Sequence, residues 1–70
     1  MSLHPNITHA WIEWVIEDGE HKTELVIETN LETRPDASGF DEAAFNSMVE
    51  AAVASFANSG HERVRVIPAR

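Results

Sequence analysis

The stretch from His9 to Ile27, HAWIEWVIEDGEHKTELVI, decides the fold of this 70-residue chain. Ala10, Ile12, Trp14 and Ile16 alternate with His9, Trp11, Glu13, Val15 and Glu17, the two-residue period of a strand. Asp18-Gly19 interrupts the run, and this pair is the strongest short hairpin signal because both central residues of a type I′ turn need positive φ. A second alternating run spans about His21 to Thr33, with Leu25, Ile27 and Leu31 on one side.

A two-residue loop sets the register, since residues whose numbers sum to 37 must then face each other. Ala10 falls opposite Ile27, Ile12 opposite Leu25 and Trp14 opposite Thr23. This face is apolar on both strands and is expected to receive a helix. The other face pairs His9 with Glu28, Trp11 with Val26, Glu13 with Glu24 and Val15 with Lys22.

Downstream, residues 34–39 (RPDASG) read as a loop, with Pro35 ending the strand. Asp41 is a good helix N-cap, and Phe40 can staple onto Phe45. Ser38 with Asp41 offers a competing capping box one turn earlier, which leaves the start open by about three residues. Phe45, Met48, Val49, Ala52 and Phe56 recur at helical spacing and define a buried stripe. Residues 58–60 (NSG) stop the helix, and Arg63 to Ile67 form a short last strand before Pro68. The expected fold class is α+β, strand-strand-helix-strand. Its expected sheet is antiparallel and three-stranded, in the order three-one-two, with one helix on one face. The first strand is placed centrally because it is apolar on both sides, with the last strand antiparallel beside it. The alternative, the last strand parallel beside the second, is less favoured because it would leave the first strand at an edge. Residues 1–6 show no periodicity and read as a disordered tail; residues 7–70 read as one small domain.

Composition narrows the function classes. Five Lys and Arg against twelve Asp and Glu give a net charge of −7, which disfavours a broad grip on nucleic acid or anionic membrane. No apolar run approaches the roughly 20 residues needed to span a bilayer. The chain has no cysteine, so disulfides and thiolate metal sites are excluded. With no basic-then-apolar leader at its N-terminus, it is expected to be cytoplasmic.

No motif assigns a reaction. Glycine occurs at 19, 39 and 60, each explained by a turn or cap, so no phosphate-cradling loop is present. No serine stands in a nucleophile elbow, and no two histidines have metal-ligand spacing on a helix. Neither a catalytic residue, a metal nor a cofactor is expected. Two constellations remain. His9, Glu13, Glu24 and Glu28 form a polar group in which Glu13 and Glu24 could split their pKa values as an acid–base pair. The plainer account is that Arg63 or Arg65 neutralises these carboxylates. Trp11, Val15 and Val26 are too apolar for a simple solvated face, and they are the expected interface or ligand contact.

The expectation is therefore a small acidic self-associating binding or accessory module, a dimer or larger, without catalysis. Its alternative is an oligomer that binds a small molecule in a pocket between subunits near Trp11 and Trp14.

Overall fold

A computed structural model describes residues 4–69. It is a small α+β fold of three strands and one helix: β1 (Ile7–Glu17), β2 (Glu20–Thr29), α1 (Glu42–Ser55) and β3 (Arg63–Pro68). The β1–β2 hairpin has the register read from the sequence, with Ala10 on Ile27, Glu13 on Glu24 and Glu17 on Glu20. Asp18 and Gly19 both take positive φ, 52° and 79°, as the type I′ turn demands. An irregularity between Ile7 and His9 ends the regular pairing.

The sheet order corrects the expectation. It is β1-β2-β3, with β2 in the centre, and β3 runs parallel to β2 rather than antiparallel to β1. The reason lies in the connection between β2 and β3. A strand followed by a helix and a third strand returns most simply as a crossover unit, which sets the third strand parallel beside the second. Burial follows the order: Glu24, Leu25, Val26, Ile27 and Thr29 of β2 are all buried. Leu25, Val26 and Ile27 form the consecutive apolar run of a strand covered on both faces, but β1 carries equal runs at residues 10–12 and 14–16, so apolarity does not tell the central strand from the edge one. Pro68 is tolerated in β3 because an edge strand can spare a backbone donor.

The helix begins where its cap chemistry dictates. Asp41 has extended backbone, and its Oδ1 accepts from the Ala44 amide at 3.1 Å. The Phe40 and Phe45 rings lie 5.4 Å apart between centroids, tilted by 46°, which completes the staple. The C-cap is Phe56, and a tight turn through Ser59 leads to Gly60, whose φ of 73° redirects the chain into β3.

The core is Leu25 and Ile27 of β2 packed on Met48 and Ala52 of α1, all fully buried. Ile7, Ile12, Leu31, Phe45, Val49, Phe56 and Val66 close around them. The ends of β3 are fastened to β2, where Glu62 N donates to Thr23 O at 3.0 Å and Ala69 N to Thr29 O at 2.8 Å. Ahead of β1, the Asn6 carbonyl accepts from Thr29 Oγ1 at 2.7 Å and from Asn30 N at 3.2 Å.

Candidate functional site

Side chains alternate across each strand, so the face opposite α1 collects His9, Trp11, Glu13, Val15 and Glu17 of β1. Beside them stand Lys22, Glu24, Val26 and Glu28 of β2, then Arg63, Arg65 and Ile67 of β3. All seven residues singled out in the sequence therefore share this outer face. They do not form one cluster.

The first group is centred on Arg65. Its Nε donates to Glu24 Oε1 at 2.8 Å and its Nη2 to Glu13 Oε2 at 3.0 Å. Glu13 Oε1 accepts in turn from Trp11 Nε1 at 3.0 Å. Arg63 bonds the Glu17 carboxylate and lies 3.8 Å from Glu24 Oε2. Two arginines thus answer three carboxylates, Arg65 bonding Glu24 and Glu13 and Arg63 bonding Glu17, with the 3.8 Å ion pair between Arg63 and Glu24 joining the two groups. Arg65 reaches Glu13 from two strands away, across β2, because a long guanidinium arm spans the row above Val26.

Glu24 is the deepest member at 6% exposure. A carboxylate this deep requires a paired partner, and Arg65 supplies it with one short bond. Val26, flanked by Trp11 and Arg65 in the register, is fully buried within the chain. Trp11 and Val15 are half-buried.

The second group sits at the far end of the same face. Glu28 Oε2 accepts from Thr8 Oγ1 at 2.9 Å and pairs with His9 Nδ1 at 2.9 Å. The Thr8 hydroxyl first, and His9 second, hold the Glu28 carboxyl below its ordinary range by stabilising its charged form. Thr8 was not among the residues singled out. Its hydroxyl reaches Glu28 where the regular pairing breaks, and nothing in the alternation marks such a break.

Chemically, this face neutralises charge. Glu13 and Glu24 are directly opposed, as an acid–base pair would need, yet each is bonded to the same guanidinium. Among the described residues no set of three or more His, Asp and Glu is placed to hold a metal ion, and no enclosed pocket is found. Nor is any helix among them long and apolar enough to cross a membrane.

The apolar exposure lies on the other side of the sheet. Trp14 is 75% exposed and Ile16 72%, although both point to the face that carries α1. The helix covers that face around Ile12, Leu25 and Ile27 and leaves the hairpin end bare. A signal for this stood in the sequence: Trp14 opposes Thr23 and Ile16 opposes His21, polar neighbours that a core position would not have. Trp11 and Trp14 consequently lie on opposite faces of β1.

No family model, curated protein or solved structure matches this chain.

Proposed function

We propose that this chain is a non-enzymatic, self-associating module, a homodimer or larger assembly, serving as a binding or accessory component in the cytoplasm. One observation carries the reading: two large apolar side chains, Trp14 and Ile16, stand almost bare side by side on an edge strand. Exposed aromatics of this kind are the usual anchors of protein interfaces, where Trp contributes more than most residues. The size of the chain points the same way. A 70-residue domain without disulfides buries a modest share of its surface, and association is a common remedy. The outer face supports a structural role for its carboxylates, since each acid a catalyst would use is tied to an arginine, a threonine or a histidine.

Native mass spectrometry and sedimentation velocity at micromolar concentration test the proposal together. The expected result is a mass of twice 7.8 kDa or a higher multiple. A monomer under those conditions refutes it.

A further inference from the structure

The proposed self-association rests on an apolar patch; the backbone beneath that patch specifies its geometry. β1 is a sheet edge, because β2 pairs with it on one side only. Glu17 and Glu20 flank the two-residue turn and are therefore a hydrogen-bonded pair, as are the odd-numbered residues of β1 back to Trp11. The N–H and C=O groups of Ala10, Ile12, Trp14 and Ile16 consequently point outward from the free edge. Those same residues carry their side chains on the helix side. The bare apolar row and the unsatisfied backbone row thus belong to the same residues.

Edges of this kind are normally blunted by Lys, Pro, a bulge or shortness. β3 is blunted, with six residues, two arginines and Pro68. β1 is not: its eleven residues contain neither Lys nor Pro, and its pairing is regular from His9 to Glu17.

From this we infer that two copies join through β1, antiparallel, across a two-fold axis at Trp14, making one six-stranded sheet with both helices on the same face. The occupant of the edge is a second copy because the strand is complementary to itself. A two-fold axis normal to the sheet pairs residues of like parity, so only a few registers need comparison. Centred on Glu13, the strand sets Glu13 against Glu13 of the second copy, and like charges directly opposed are destabilising. Centred on Ile12, it spends Trp14 on Ala10 and Ile16 on Thr8, covering neither with a large apolar partner. Centred on Trp14, it sets Trp14 on Trp14 and Ile16 on Ile12, with Glu13 against Val15 and Glu17 against Trp11. No acid then faces an acid, and both bare residues meet large apolar side chains.

The register is measurable because the chain has no native cysteine. A spin label at His9→Cys, an exposed position, reports the distance between copies by pulsed electron resonance. A two-fold axis at Trp14 separates the two labelled residues by ten strand positions, about 33 Å at roughly 3.3 Å each. Axes at Glu13 or Ile12 give about 26 Å and about 20 Å on the same spacing. Trp14→Ser should weaken the dimer at least tenfold with unchanged circular dichroism, while Val64→Ser on the opposite edge should leave it intact.

A dimer with the longest of the three distances and sensitivity to Trp14→Ser supports the inference. A dimer with either shorter distance overturns the register. One with no defined distance, or indifferent to Trp14→Ser, overturns pairing through β1 while leaving self-association standing. A monomer overturns both.

Discussion

Replacing Arg65 with Ala is the most informative single perturbation of the folded chain. The Arg65 guanidinium is half-exposed, and an exposed ion pair such as its bond to Glu13 contributes only about 0.2–1 kcal/mol. Its bond to Glu24 differs in kind, because that carboxylate side chain is 8% exposed and accepts the Arg65 Nε at 2.8 Å. Losing the partner of a buried charged group costs about 3–5 kcal/mol when nothing replaces it. Here Arg63, 3.8 Å away, still offsets part of the charge, and water can enter the space the guanidinium leaves. An intermediate loss of about 1.5–3 kcal/mol follows. For a domain of this size each 1 kcal/mol lowers Tm by roughly 4–8 °C, so urea or thermal denaturation resolves the effect easily.

Double-mutant cycles divide that loss. Coupling between Arg65 and Glu24 should exceed about 1 kcal/mol, whereas coupling between Arg65 and Glu13 should stay within the range of an exposed pair. Glu24→Gln alone should be milder than Arg65→Ala, because it removes the buried charge and keeps an acceptor. If Arg65→Ala costs under about 0.5 kcal/mol, or the cycle with Glu24 shows no coupling, then Glu24 is solvated and the reasoning fails.

Two further outcomes follow from the core and from the Thr8–Glu28 contact. Met48→Ala should cost about 2–5 kcal/mol because Met48 is fully buried between Leu25, Ile27 and Ala52, while Phe56→Ala should cost less because that ring is half-buried; denaturant titration of the two variants gives the order, and a reversed order would misplace the core. Because the Glu28 carboxyl is held below its ordinary value of 4.5, its contribution to stability is present above that pH and lost as the pH falls through the lower folded value. Thr8→Ala should bring its titration back toward 4.5, read from the carboxyl carbon shift, and an unmoved midpoint would exclude the Thr8 hydroxyl as the main cause.

The hairpin and the helix were legible in the chain because their information is local. Asp18-Gly19 permits one tight turn, and that turn carries Glu13 to Glu24 and Trp11 to Val26 without reference to the rest of the molecule. Asp41, Phe40 and Phe45 announce the helix start within five residues. The outer polar face followed from the same register. The pairing of its acids with Arg63 and Arg65 was expected from charge and from a last strand beside β1, whereas β3 reaches those acids from beside β2.

What only the tertiary structure decided is which strand lies inside. Alternation states which side chains share a face, and says nothing about which edge of the hairpin a third strand joins. The pattern of Arg63, Val64, Arg65 and Val66 fits beside β1 or β2 equally well; the crossover through α1 places it on β2, which puts Glu24 under two arginines and Val26 out of reach of solvent. The same choice leaves β1 as a free edge. One helix of fourteen residues covers the sheet around Ile12, Leu25 and Ile27 and stops short of the hairpin end, so Trp14 and Ile16 keep the alternation of core residues while standing in water.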